Sequence, residues 1–338
     1  MTGHAQARIA VFGAGSIGCY VGGRLAAAGA AVHFVGRERV VREVAEHGLR
    51  VSDYLGYDAT LTHAAFGTGA DAVRDADLVL VTVKSAATRD AAWELAARLR
   101  PGVLVVSLQN GLGNAAVLAA ELPAQRVLAG MVPFNVLHRA PGWFHQGTEG
   151  RLDVQRDAAL APYRDAFARA GLALVEHDDM PAVQWSKLLL NLNNSINALS
   201  GQPLKRQLAQ RGFRRCLVAA QREALDLLDL AGVTPATITA LPPRAIVRVL
   251  ALPDFLFKLA ARRMLAIDPV ARSSMWEDLE AGRTTEVEWL NGEVVRLAES
   301  LGRQAPVNAL LRKLVQDAEQ GGNRAWSADA LWTVVRKA

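Results

Sequence analysis

Cysteine is scarce in this chain: Cys19 and Cys216 are the only two among 338 residues. Two thiols cannot build a disulfide framework, so a packed core must hold the fold, and a reducing, cytoplasmic setting suits such a sequence. Long uncharged apolar runs are also missing. The nearest approach, 246–264, is broken by Arg248, Asp254, Lys258 and the arginines at 262 and 263, so no membrane span is expected. No apolar signal-peptide segment precedes the first predicted strand. Charge of one sign does not dominate: 38 Lys and Arg against 33 Asp and Glu give a net +5. No basic run with interleaved aromatics occurs, so nucleic acid is not expected as a partner. His4, His33, His47, His63, His138, His145 and His177 are scattered without ligand-like spacing, and no metal is expected. A GxSxG nucleophile setting is absent as well.

What is present is an ordinary globular composition, 51% hydrophobic and 21% charged, and a length sufficient for two domains with real cores. Residues 8–37 are the most informative stretch. An apolar run at 9–12 ends in Gly13-Ala14-Gly15-Ser16-Ile17-Gly18, a helical pattern follows, and a second apolar run at 31–35 stops at Gly36-Arg37. Strand, glycine turn, helix, strand is the context that a dinucleotide fingerprint requires. Gly13 permits the tight turn, Gly15 lets the backbone approach a pyrophosphate, and Gly18 lets the helix pack closely on the strand. The N–H groups at the helix start then face the phosphates. The same turn also joins strands to helices where no ligand binds. At the end of the second strand, NAD sites usually carry Asp or Glu. Here Arg37 stands there, and a guanidinium can pair with a 2′-phosphate that a carboxylate would repel. NADPH is therefore expected over NADH; the bland reading of Arg37 is a solvated loop arginine.

Apolar runs at 78–83, 103–108 and 127–132 alternate with helical patterns at 86–99 and 115–121, which predicts an α/β fold with a doubly wound parallel sheet. Polar-apolar alternation over 142–154 predicts antiparallel strands at the sheet edge. From about Met180 onward the strand signals vanish and the pattern is helical, punctuated by Pro242-Pro243, Pro253 and Pro269. This gives a first domain over 1–180 and an all-helical second domain over 181–338. Exposed apolar faces on that second domain would suit a homodimer.

Three groups of residues could carry chemistry. Lys84 is read as ending the strand LVLVTVK, and Asn110 follows the next strand; ligands of doubly wound sheets bind beyond such carboxyl ends. The bland readings are a strand-exit lysine and an Asn-Gly turn. The predicted helix 182–200 is apolar yet rich in asparagine, a poor interior helix residue. Steps of about 100° per residue place Asn191 roughly 40° from Lys187, Asn194 about 20° to the other side, and Ser195 and Asn197 about 80° off on opposite flanks. A buried lysine beside amides could donate a proton with a lowered pKa, or the stripe could simply hydrogen-bond a neighbouring domain. Third, Ser274 with Glu277 and Thr285 with Glu288 read as capping boxes, which places Glu286 at a first helical position.

Taken together, GAGSIG at 13–18, VTVK ending at Lys84, QNG around Asn110, WSKLLLN at 185–191 and SSMWED…RTTEVE at 273–288 resemble the ketopantoate reductase (2-dehydropantoate 2-reductase) family over nearly the whole chain. The resemblance implies a Rossmann-type NADP(H) domain and a helical domain, with the site between them. It implies Lys187 as catalytic proton donor and Glu286 as a ligand of the substrate or its developing hydroxyl. Asn191 and Ser274 fall on substrate-contacting positions. Lys84 and Asn110 line the cofactor and substrate cleft, and Val136 falls on a cofactor-contacting position. Where the family often has a second Asn, this chain has Ser195, so Ser195, Asn194 or Asn197 fills that role. The helical stretch 235–270 is also long for the family. Both departures bear on which small 2-oxo acid is the substrate. The implied reaction is reduction of ketopantoate to pantoate, on the route to pantothenate. The alternatives are another small 2-oxo acid, or an NADPH-binding regulatory protein without turnover.

Overall fold

A computed structural model describes residues 7–261 and 270–338. His4, Pro269 and the arginines at 262 and 263 lie outside the described residues. The chain divides into two compact units, Met1–Met180 and Pro181–Ala338.

The first unit runs β1 (Arg8–Phe12), α1 (Ser16–Ala27), β2 (Ala31–Val35), α2 (Glu38–His47), β3 (Leu49–Asp53), β4 (Asp58–Leu61), β5 (Ala65–Gly67), β6 (Leu78–Val81), α3 (Thr88–Ala96), β7 (Leu104–Ser107), α4 (Asn114–Glu121), β8 (Arg126–Met131), β9 (Val136–Ala140), β10 (Trp143–Gln146), β11 (Asp153–Gln155), α5 (Arg164–Arg169) and β12 (Val175–His177). The large sheet has the order β12-β11-β8-β7-β6-β1-β2-β5. From β8 to β5 every pairing is parallel, and β11 runs antiparallel to β8. The order reverses at β1, whose neighbours are β2 and β6, so the switch point lies beside the glycine turn. Alternation along β1 sends Ile9 and Val11 to one core and Ala10 and Phe12 to the other, as a sheet covered on both faces requires.

The alternation over 142–154 does not make one sheet edge. β10 belongs to a separate four-stranded sheet, order β4-β3-β10-β9, while β11 joins the large sheet inside β12. The loop at 147–152 parts the two, so a single polar-apolar rhythm serves two sheets. Helix α1 lies between them. A Cβ on Gly22 would collide with Phe34 of the large sheet, and one on Gly23 would come within 2.6 Å of Val51 Cγ1 of the small sheet. Arg24, buried on the same helix, donates to Tyr20 Oη at 2.8 Å, Asp53 Oδ2 at 3.0 Å and the Ala170 carbonyl at 2.9 Å. Tyr20 in turn donates to Gln146 Oε1 at 2.6 Å. A buried charge is tolerable only when paired and hydrogen-bonded, and this one has a carboxylate, a hydroxyl and a carbonyl.

The second unit is helical throughout its described residues: α6 (Met180–Asn191), α7 (Asn193–Ser200), α8 (Leu204–Ala209), α9 (Arg211–Leu230), α10 (Pro243–Ala251), α11 (Asp254–Ala260), α12 (Ser274–Glu280), α13 (Asn291–Ser300), α14 (Pro306–Glu319) and α15 (Ala328–Val335). The predicted single helix 182–200 is two helices, broken at Leu192. At the break Ser195 Oγ donates to the Leu192 carbonyl at 3.0 Å. Among the described residues no helix is long and apolar enough to cross a membrane, and no cluster of three His, Cys, Asp or Glu could hold a metal.

Candidate active site

In the first unit the glycine turn takes the form that its motif predicts. Gly13 has φ +103°, and a Cβ there would lie 2.5 Å from Val83 N. A Cβ on Gly18 would lie 2.6 Å from Thr82 Oγ1 and 2.8 Å from Val11 Cγ1, so helix and strand meet as closely as backbones allow. Thr82 Oγ1 also donates to the Gly13 carbonyl at 2.8 Å, tying the exit of β6 to the turn. Ala14 is buried, and its N–H joins that of Gly13 on the Val35 carbonyl at 2.9 Å. Gly15 differs: a Cβ there would meet nothing nearer than the Gly13 carbonyl at 3.9 Å. Protein packing gives no reason for glycine at 15, whereas close approach of a ligand does. Gly15 is the N-cap of α1 and offers no side-chain cap, so the first-turn N–H groups, including those of Ser16, Ile17 and Gly18, remain for an anion. These residues fit a dinucleotide pyrophosphate.

Arg37 is the exposed N-cap of α2 at the end of β2, and its guanidinium makes no ion pair or hydrogen bond among the described residues. Its neighbour Arg39 pairs with Glu43 at 3.1 Å. Lys84 does not end a strand. β6 stops at Val81, and Lys84 is an exposed N-cap of the short 3₁₀ turn that precedes α3. The shift arises because Thr82 turns to the Gly13 carbonyl. Asn110 is exposed beyond β7, and its carbonyl accepts from Ser85 Oγ and Asn114 Nδ2. Val136 opens β9 in the small sheet, half-buried and opposite Gln146. Thr82 and Val83, which the VTVK run contains but gives no role, prove to support Gly13.

In the second unit the polar stripe survives the helix break. Gln184, Lys187, Asn191 and Asn194 are partly open, as is Leu190, while the other residues from 182 to 196 are buried. Burial lowers the pKa of Lys187 to about 8. Ser195 is 0% exposed and its hydroxyl is spent on Leu192, so it faces the interior of its unit. Asn197 is likewise internal. Its Oδ1 accepts from Ser273 N at 2.9 Å and its Nδ2 donates to the Gln202 carbonyl at 2.9 Å. Of the three residues considered for the second amide role, Asn194 alone keeps open surface.

Neither predicted capping box forms. The cap of α12 is Ser273, whose Oγ accepts from Trp276 N at 3.2 Å, which leaves Ser274 exposed at the first helical position. Ser273 Oγ also reaches the Asn194 carbonyl at 3.4 Å, which brings the start of α12 beside the amide stripe. Thr285 N donates not to Glu288 but to Glu319 Oε1 at 2.7 Å. Glu286 is then the N-cap of a three-residue 3₁₀ turn, partly buried, rather than the first residue of a helix. Glu288 is drawn away by Gln316, which donates to its Oε1 at 2.6 Å.

The family model described as Ketopantoate reductase PanE/ApbA matches residues 9–158, and that of its C-terminal domain matches 179–319. A 2-dehydropantoate 2-reductase of Halobacterium salinarum is 34% identical over 322 residues, covering 93% of this chain and 100% of that protein. The crystal structure of a PanE/ApbA family ketopantoate reductase from Ralstonia eutropha JMP134 superposes with a TM-score of 0.79 at 31% identity, over 93% of this chain and 99% of that one. D-mandelate dehydrogenase, solved with NADH and anilino(oxo)acetate, shares the fold, with a TM-score of 0.75 at 17% identity over 93% and 99% of the two chains. Two domain matches that together span most of the chain, and a relative aligned over its full length, place this protein in the ketopantoate reductase family of oxidoreductases.

Proposed function

We propose that this protein reduces 2-dehydropantoate to pantoate with NADPH, a step on the route to pantothenate and coenzyme A. The observation that carries the proposal is Lys187: a lysine in an apolar helix, its pKa brought to about 8 by burial, with Asn191 and Asn194 on the same open stripe. A group of that pKa is protonated at neutral pH yet gives up its proton readily. When bound, NADPH supplies a hydride from the nicotinamide C4 to the ketone carbon. Lys187 donates its proton to the ketone oxygen as negative charge builds there. Asn191 and Asn194 orient the substrate by donating and accepting hydrogen bonds, and Ser274 and Glu286 fix its far end. Asn194 takes the second amide role that Ser195 vacates. The glycine turn and α1 hold the pyrophosphate, Lys84, Asn110 and Val136 line the cofactor, and Arg37 pairs with the 2′-phosphate.

The test is oxidation of NADPH with ketopantoate, set against a panel of other 2-oxo acids and an NADH control. Turnover that prefers ketopantoate supports the proposal. Preference for another acid moves the substrate but keeps the mechanism. NADPH binding with no turnover favours the regulatory alternative.

The dinucleotide choice rests on Arg37, because the fold itself carries NADH in D-mandelate dehydrogenase. Arg37→Ala is expected to weaken NADPH about 10- to 100-fold and leave NADH nearly untouched, the range for one charge-assisted pair to phosphate. Binding titrations of both dinucleotides check this, and an unchanged preference would remove the phosphate role.

A further inference from the structure

Two loops leave the large sheet beside the glycine turn, 82–87 after β6 and 108–113 after β7, and they carry Lys84 and Asn110. Between them runs a chain of buried polar side chains that no motif requires. Ser107 Oγ donates to Gln109 Oε1 at 3.0 Å, and Gln109 Nε2 donates to Thr88 Oγ1 at 2.7 Å. Thr88 Oγ1 lies 2.8 Å from Asn114 Oδ1. Asn114 Nδ2 donates to the Asn110 carbonyl at 2.7 Å, and Ser85 Oγ donates to the same carbonyl at 2.9 Å. Ser85, Thr88, Ser107, Gln109 and Asn114 are all 6% exposed or less.

Burying five polar side chains is costly unless each is paired, and apolar groups of the same shape would hold such a core about as well. What the chain adds over an apolar filling is a fixed geometry. Thr88 is its joint. Its oxygen accepts from Gln109, and its single proton serves Asn114 Oδ1 or the Ser85 carbonyl. With Oδ1 facing Thr88, the amide nitrogen of Asn114 must face the Asn110 carbonyl. The Asn110 peptide is thereby clamped between donors from two elements, with its own side chain left exposed.

Topology says what that side chain would meet. Arg37 stands at the end of β2, on one side of β1, and takes the 2′-phosphate end of the dinucleotide. The other half then extends across the switch point, over the ends of β6 and β7. We propose that Thr88 and Asn114 are positioning residues for that half: through the Asn110 carbonyl they hold the Asn110 side chain at a set place relative to Lys84. This rests on the dinucleotide-dependent reduction proposed above.

The test compares the full-length wild type with Thr88→Val, which keeps shape and loses the hydroxyl, and with Thr88→Ser, which restores it. Thr88→Val is expected to lower kcat about tenfold or more while KM for NADPH moves less than about threefold, and Thr88→Ser to recover most of kcat, because a misplaced positioning group costs rate before affinity. Deuterium uptake by the amides of 110–114 in the dinucleotide-free protein should rise in Thr88→Val, return in Thr88→Ser and leave 8–37 unchanged. A folded Thr88→Val protein with wild-type kcat, or with wild-type uptake at 110–114, overturns the proposal. If Thr88→Val does not fold, Ser85→Ala, which removes one of the donors to the Asn110 carbonyl, is read by the same two criteria. A wild-type protein that reduces no 2-oxo acid would end the functional proposal separately. In that case protection of 110–114 by NADPH decides this one: protection lost in Thr88→Val upholds it, and equal protection in both proteins overturns it.

Discussion

Lys187→Ala is expected to cut ketone reduction by about 10²–10⁴-fold, the usual contribution of a positioned acid. NADPH affinity should stay within about threefold, since the glycine turn and Arg37 are untouched. Equal loss of turnover and cofactor binding would remove Lys187 from the chemistry. In the wild type, the rate of reduction should be level below neutral pH and fall as Lys187 deprotonates through about 8. The reverse reaction needs the free amine and should rise over the same range. The same burial makes Lys187 a burden on stability. Its folded pKa of about 8 lies below its ordinary 10.5, so between those values the unfolded chain binds the extra proton and stability increases with pH. Below about 8 the folded protein carries the full penalty. Lys187→Met should therefore gain about 1–3 kcal/mol at neutral pH while turnover is lost. Urea titration of the two proteins at neutral pH and near pH 10 checks the sign, because the gap between them should narrow at the higher pH.

Arg214→Met is expected to cost about 3–5 kcal/mol, the range for leaving a buried polar network without its centre. Arg214 lies on α9 and is 0% exposed. Its guanidinium donates to the carbonyls of Leu208 at 3.0 Å, Ala209 at 3.2 Å, Leu250 at 3.1 Å and Leu252 at 2.9 Å, and to Asp254 Oδ1 at 2.8 Å. Four of these acceptors are carbonyls at the C-terminal ends of α8 and α10, which have no partner within their own helices. The cation also sits 4.1 Å from the ring centroid of Phe257. Asp254 is half exposed, so the carbonyls rather than the ion pair carry most of the cost. Arg214→Lys should recover less than half of the loss, because an ammonium cannot reproduce the planar fork. In urea unfolding the midpoint should fall; a Met variant as stable as the wild type would show that these helix ends are satisfied in another way.

The parallel sheet is legible in the sequence because its strands are short apolar runs set between glycine turns and helical patterns. The small sheet is not. Its strands β3 and β4 carry charged or hydroxyl residues at alternate positions, and β4 has only 4 residues. A strand that packs one face on α1 gives too weak a period over so short a length. The site follows the same division. Gly13, Gly15 and Gly18 are legible because glycine has few reasons to recur at those spacings. The stripe from Lys187 to Asn194 is legible from angular spacing even though the helix breaks, since Leu192 keeps helical torsions of −57° and −21°. The status of Ser195 and Asn197 is not legible, because angular position does not say which neighbour takes a polar group's hydrogen bonds. The capping boxes at 274 and 285 mislead for a related reason. A neighbouring Ser273 and a distant Glu319 compete for the same backbone groups, and only the folded chain decides between them. Arg214 and the chain from Ser107 to Asn110 are not legible either, because the bonds that join their elements, such as Gln109 to Thr88 and Arg214 to the Leu250 and Leu252 carbonyls, link residues far apart in the sequence.

Helix α1 sets a boundary on how this chain can change. At 18 and 22 it faces the large sheet and at 23 the small one, with no space for a methyl group at any of the three. In a saturation library, these positions should survive only as glycine, while Ala26 and Ala27, partly open at the far end of the same helix, should accept larger residues. The helix that would hold the pyrophosphate is therefore fixed by its opposite faces as much as by its ligand. Substitution aimed at new cofactors has room at Arg37 and beyond the strand ends, but not along α1.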